Sequence, residues 1–162
     1  MKNKVTIEKV GMNEKVLNKI IEIDKNFYLD FDYNDTSWYF NRYNSSRKIT
    51  VLKVDNEIVG YYLFIPISKK LYDEICNLKY DGDYDFPESE IYVKSNIEYV
   101  PSVLVKEEYK KYSPHLLMAL KNELKTKQKV VAIAISKEGH RMCNKVMNKV
   151  GDVTSTIGVY SN

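Results

Sequence analysis

N-I-E-Y-V-P-S-V-L-V-K-E-E-Y-K-K-Y-S-P-H-L-L-M-A-L-K-N-E-L, residues 96–124, decides how the rest of the chain is read. Tyr99 to Val105 is rich in β-branched and aromatic residues, the composition of a buried strand. Ser113 followed by Pro114 predicts a helix start, because serine caps free amides and proline at the first helical position loses no needed N–H. Leu116, Leu117, Leu120 and Leu124 then repeat at helical spacing on one face. A strand that feeds a helix through a short lysine-rich loop suits phosphate, because a helix N-terminus carries partial positive charge and unpaired N–H groups.

Working outward, Val5 to Val10 alternates like a first strand, and Asn13 predicts a capped helix to about Asp24 with Val16, Leu17, Ile20 and Ile21 inward. Asp35 predicts a second helix carrying Trp38, Tyr39, Phe40 and Tyr43. Arg47 to Val54 and Glu57 to Ile67 read as strands joined by a hairpin turn at Asp55-Asn56. Lys69 to Leu78 reads as a short helix, Tyr80 to Ser89 as a polar loop, and Glu90 to Lys94 as a short edge strand. Downstream, Lys129 to Ile135 has the continuous apolar character of a buried parallel strand. Ser136 caps a last helix, with Met142, Cys143, Val146, Met147 and Val150 inward, ending at a C-cap on Gly151. Val153 to Tyr160 closes the chain as a strand.

V-K-E-E-Y-K-K-Y-S-P-H-L-L, in this order of elements, resembles the acetyl-CoA-binding segment of the GNAT superfamily of acyl-CoA-dependent N-acetyltransferases. The family's motif is Q/R-x-x-G-x-G/A; here Lys110 takes the Q/R place, Ser113 the first glycine place and His115 the Gly/Ala place. The end of the chain, S-K-E-G-H-R-M-C-N-K-V-M-N-K-V-G, is similar to the family's N-x-x-A-x-x-L-Y-E-K-L-G-F segment. The resemblance implies an α/β (α+β) fold in one domain over residues 1–162. Its mixed, mostly antiparallel central sheet would have about six to seven strands, flanked by helices and splayed between the fourth and fifth. The short tail after Gly151 suggests that one terminal strand is reduced or missing.

The same resemblance implies acetyl-CoA as co-substrate. Val103, Leu104 and Val105 would bind the pantetheine arm, with Lys110, Lys111, Tyr112, Ser113, Pro114, His115 and Leu116 around the phosphates and His140 as a further cofactor contact. Read from the residues alone, His140 is an exposed polar side chain in a helix's first turn, and Cys143 is core. The family's usual catalytic glutamate falls on Pro101 and its tyrosine on Met147, neither of which moves a proton. Glu98 and Tyr99 on the same strand are the substitutes, and Tyr160 lies near the end. Phe27, Tyr28, Asp30 and Phe31 fall in a region that borders the acceptor pocket in the family. Aromatic faces with carboxylates suit a cationic amine.

The composition excludes several classes. The 162 residues, 44% hydrophobic and 29% charged, fit one globular domain. No apolar run reaches membrane-span length and no signal-peptide core opens the chain. Cys76 and Cys143 make no disulfide framework, and their spacing with the two histidines forms no metal motif. A cytoplasmic location, no metal and no membrane are therefore expected. The lysines after Lys106 lie along helices that also carry acids, without an aromatic stacking motif, so no nucleic-acid partner is expected.

The functional expectation is transfer of acetyl from acetyl-CoA to a primary amine of a small cationic molecule or peptide, by direct attack in a ternary complex. The altered motif leaves a second reading open: a catalytically inactive binding or regulatory protein on the same fold, sensing acyl-CoA or engaging a protein. A homodimer is also left open, since dimers are frequent in the family.

Overall fold

The computed structural model describes residues 2–29 and 48–162, which form two compact units. The helix expected after Asp35, with Asp30 and Phe31, lies outside the described residues.

The first unit comprises residues up to Leu63 together with Ser102–Ala119. Its sheet has the order β1 (Val5–Val10), β2 (Ile49–Val54), β3 (Glu57–Tyr62), β6 (Val103–Val105), antiparallel throughout. Helix α1 (Glu14–Asp24) starts at Asn13, whose Oδ1 accepts the Val16 N–H at 2.9 Å. That side chain answers an amide the helix cannot, a contribution of about 1 kcal/mol. Ile20 and Ile23 of α1 and Ile49, Val51, Leu52 and Val59 of the sheet are fully buried, and they form the core of this unit. Asp55 (φ 50°) and Asn56 (φ 71°) make the predicted tight turn, with both central residues in the left-handed region that a two-residue hairpin demands. Gly60 is required where it stands: a Cβ there would lie 2.8 Å from Leu104 O and 2.9 Å from Val105 Cγ2.

The second unit comprises Phe64–Pro101 and Leu120–Asn162. Its sheet has the order β4 (Ile65–Pro66), β5 (Ile97–Tyr99), β7 (Lys129–Ala134), β9 (Gly158–Ser161), β8 (Asn148–Asp152). β5 and β7 are parallel and the other pairs antiparallel. Helix α2 (Lys69–Cys76) is capped by Ser68, and helix α4 (Lys137–Val146) by Ser136, whose Oγ accepts the Gly139 N–H at 2.9 Å. Ile67, Leu71, Ile75, Val130, Val131 and Val159 are its fully buried aliphatics.

Several expectations are corrected. The single strand read over Tyr99 to Val105 is two: β5 belongs to the second unit's sheet and β6 to the first's, with Val100–Ser102 between them outside any strand. The expected strand Glu57 to Ile67 divides likewise into β3 and β4. The last helix stops at Val146, because Met147 is extended (φ −135°, ψ 175°) and β8 starts at once. Gly151 is therefore a strand residue, where a Cβ would meet the Leu78 side chain at 3.1 Å, and Val150 is exposed rather than inward. Both strands of the terminal hairpin are present, so none is missing. Residues 90–94 hold a 3₁₀ turn end and one isolated bridge, Ile67 to Ile91, in place of an edge strand.

Ser113 is not a helix cap. The chain turns helical earlier, in a 3₁₀ run over Glu107–Tyr112 that leads directly into α3 (Ser113–Leu124). Ser113 itself has helical angles (φ −54°, ψ −31°) and its N–H bonds to the Lys110 carbonyl.

Candidate functional site

In the first unit, the strand β6 is held to β3 by a ladder whose phase is fixed by the Lys106 N–H donating to the Val59 carbonyl at 2.8 Å. Antiparallel bonding alternates, so Leu104, opposite Tyr61, shares the ladder, while Val103 and Val105 turn their N–H and C=O groups to the other edge. Among the described residues no strand pairs with that edge in this sheet. Two residues of backbone thus offer alternating donors and acceptors to an extended ligand.

The segment that follows carries Lys110, Lys111, Tyr112, Ser113, Pro114, His115 and Leu116. Lys110 reaches both oxygens of Glu107 at 3.5 Å. The Lys111 ammonium lies 5.0 Å from the Tyr112 ring centroid, and the His115 ring is tilted against Tyr112 at 6.5 Å. Pro114 and His115 are exposed, whereas Ser113 and Leu116 are buried. Lys110, Lys111, Tyr112 and His115 therefore share one turn, and the imidazole points outward.

Tyr28 sits within 3.1 Å of Ser102, hydroxyl to hydroxyl, immediately before β6. Its position follows from the end of α1, where the Asp24 carbonyl accepts the N–H groups of Phe27 (2.9 Å) and Tyr28 (2.8 Å). The Asp24 carboxylate is itself buried and accepts the Tyr61 hydroxyl proton at 2.5 Å. Phe27 is on the surface at 37% exposure. Lys106, also buried, donates to Glu22 Oε1 at 2.7 Å and Glu57 Oε1 at 2.9 Å. Burial opposes its charge, but these two hydrogen bonds outweigh that and hold the ammonium above the usual lysine range.

In the second unit, Glu98 and Tyr99 have different partners. Glu98 Oε1 accepts from Lys127 Nζ at 2.9 Å, and the same ammonium lies 4.0 Å from Glu123 and 4.7 Å from the Phe64 ring centroid. Tyr99 is buried, packs edge-on against Phe86 at 5.0 Å, and directs its hydroxyl to Asp83 Oδ2 at 3.4 Å.

His140 is half-buried rather than exposed. Its Nε2 lies 2.8 Å from the Thr156 carbonyl, which can only accept, so Nε2 carries a proton. In the neutral ring Nδ1 then accepts from the Tyr160 hydroxyl at 2.7 Å. Burial raises the Tyr160 phenol above its ordinary value. It also pushes the Cys143 thiol up to about 12.

Lys106, Lys127 and the Asp24–Tyr61 pair were not singled out in the sequence. Lys127 had a signal, since it stands four residues after Glu123, a helical ion-pair spacing. Lys106 had none: a lysine after a strand reads as surface. Among the described residues, no group of three His, Cys, Asp or Glu side chains converges as a metal site would.

No protein-family model matches the chain, and no curated protein sequence matches it. Solved structures do. A GNAT-family acetyltransferase from Streptococcus agalactiae 2603 is 11% identical with a TM-score of 0.62, over 96% of this chain and 94% of that one. Arabidopsis thaliana NAA60, solved in complex with acetyl-CoA, is 16% identical with a TM-score of 0.58, over 96% and 97%. FeeM, an N-acyl amino acid synthase from uncultured soil microbes, is 10% identical with a TM-score of 0.62, over 98% and 89%. At these identities the likeness is one of fold, and the fold is that of the GNAT acetyltransferases.

Proposed function

We propose that the protein transfers an acetyl group from acetyl-CoA to a primary amine of a small cationic molecule or peptide. The observation that carries this reading is the edge of β6 that no described strand pairs in its sheet; the main-chain groups of Val103 and Val105 there would suit an extended pantetheine. The complex of the similar NAA60 with acetyl-CoA supports the choice of ligand.

The amine nitrogen attacks the thioester carbonyl carbon directly. A C–N bond forms, the carbonyl oxygen carries negative charge, and the C–S bond then breaks. The nitrogen loses a proton to Glu98, Tyr99 or an ordered water, and the departing thiolate takes one up. Glu98 is the better acceptor of the two side chains, because the Tyr99 hydroxyl is already directed as a donor to Asp83. On the acceptor side, Phe27 and Tyr28 offer aromatic faces to a cation, with Tyr28 oriented by Ser102.

Calorimetric titration with acetyl-CoA and CoA tests the reading, with Val103→Pro as the control. Proline removes only the outward N–H of an edge strand, which such a strand tolerates. Binding in the wild type that Val103→Pro weakens about tenfold or more, a change of about 1.4 kcal/mol, is the expected result. Equal binding by both proteins would remove the basis of the proposal. Binding without turnover across a panel of amines would favour a regulatory, acyl-CoA-sensing role.

A further inference from the structure

We infer that this protein recognises its thioester donor by the pantetheine arm and not by the nucleotide diphosphate, so that its donor class extends to acyl-pantetheine thioesters lacking the nucleotide. The inference rests on the reading just given and concerns the turn that follows β6.

A backbone cradle for phosphate needs unpaired N–H groups and room for the ligand to approach them. Over Glu107–Tyr112 the chain is a 3₁₀ turn, a geometry that engages amides from Tyr109 onward with carbonyls three residues back. The Tyr109 N–H is taken by the Lys106 carbonyl at 2.9 Å, and the Ser113 N–H by that of Lys110. Pro114 has no N–H. No glycine occurs between Gly82 and Gly139, so every residue of the turn carries a Cβ.

Charge does not replace the missing amides. Glu107 and Glu108 balance Lys110 and Lys111 on the turn's surface, and Glu107 engages Lys110 directly. Lys106, which would otherwise tip the balance, is buried and held by Glu22 and Glu57. A diphosphate brought to the Lys110–His115 end of this turn would meet an engaged Ser113 amide, a proline without one and no net positive charge. The edge of β6 keeps its outward-facing groups at Val103 and Val105, so the arm retains its partner while the nucleotide has none.

The test is a set of calorimetric titrations of the full chain with CoA, 4′-phosphopantetheine, pantetheine and adenosine 3′,5′-bisphosphate. Dissociation constants for CoA and pantetheine within about threefold of each other are expected, with no heat from adenosine 3′,5′-bisphosphate at about millimolar concentration. CoA binding about thirtyfold or more tighter than pantetheine, or binding of the bisphosphate alone, would overturn the inference while leaving the acyltransferase reading intact. Failure of all the pantetheine compounds to bind would overturn both.

Discussion

Lys106 Nζ lies 2.7 Å from Glu22 Oε1, an ion pair that joins the residue after β6 to the last turns of α1. The lysine side chain is 7% exposed and the glutamate 50%, so the ammonium is removed from water and the carboxylate only partly. Glu57, at the start of β3, supplies the second carboxylate. One buried cation thus fixes the helix that ends at Asp24 to the strand pair whose outer edge is the proposed donor site.

Replacing Lys106 with methionine is expected to destabilise the fold by about 1–3 kcal/mol, less than breaking a fully buried pair because both carboxylates keep water. The hydrogen bond from Lys106 holds the Glu22 carboxyl below its ordinary value of 4.5. That contribution is complete above this value and is lost as pH falls through the depressed one. Lys106 itself is raised above 10.5, so its contribution is complete below that value and is lost as pH rises through the raised one. The difference in melting temperature between wild type and Lys106→Met should therefore be largest across neutral pH and shrink towards both extremes. A difference independent of pH would assign the loss to packing of the lysine stem.

Gly60→Ala should push β6 away from β3, since its Cβ would fall 2.8 Å from the Leu104 carbonyl oxygen and 3.3 Å from the Val105 Cα. Backbone cannot yield as a flexible side chain does, so a loss of about 1–3 kcal/mol is expected. Weakened pantetheine binding should accompany it, because the displaced strand is the one proposed to carry the ligand. Denaturant melts and calorimetry on the same preparation read both effects.

The element order was legible because it rests on local signals. Asn13 and Ser136 are caps that the sequence displays, and Asp55-Asn56 is a turn few other contexts use. The break between β5 and β6 was not read: Tyr99 to Val105 is rich in strand formers on either side of Pro101-Ser102, and its two halves bond to different sheets. The end of α4 was misread for a related reason. Met147 and Val150 continue the apolar spacing of a helix, yet pairing of Asn148–Asp152 with β9 prevails over propensity. At the candidate site, Lys110, Lys111 and His115 were visible as residue types, but the amides around them depend on whether the chain coils before or after Ser113. The Ser-Pro signal pointed to the later start.

Cys143 provides a check on burial in the second unit. With its thiol pushed up to about 12 by desolvation, almost none is thiolate at pH 8, and the thiolate is the reactive form. Cys76 is also raised, first by burial. Neither cysteine should react appreciably with Ellman's reagent in the native protein at pH 8, and both should react within seconds in guanidinium. Rapid release of one equivalent from the native protein that persists in Cys76→Ser would contradict the packing of α4 around Cys143.

The last prediction concerns how Glu98 is held. Its carboxylate and that of Glu123 flank one ammonium, Lys127, at 2.9 and 4.0 Å, and all three side chains are largely shielded from water. The Phe64 ring beneath Lys127 adds a cation–π contact. Without the lysine, two shielded acids would repel each other and Glu98 would leave its present orientation. Under the acyltransferase reading, Glu98→Gln removes the base itself and is expected to lower kcat by about a hundredfold or more, with the KM for the thioester unchanged. Lys127→Met misplaces the base rather than deleting it, so a smaller fall in kcat, about tenfold, is expected with the same unchanged KM. A purely structural role for Lys127 would instead lower melting temperature while kcat per folded molecule stayed at the parent value. If Glu98→Gln turns over at the parent rate, the proton leaves by Tyr99 or water, and Lys127 serves only to neutralise two partly buried acids.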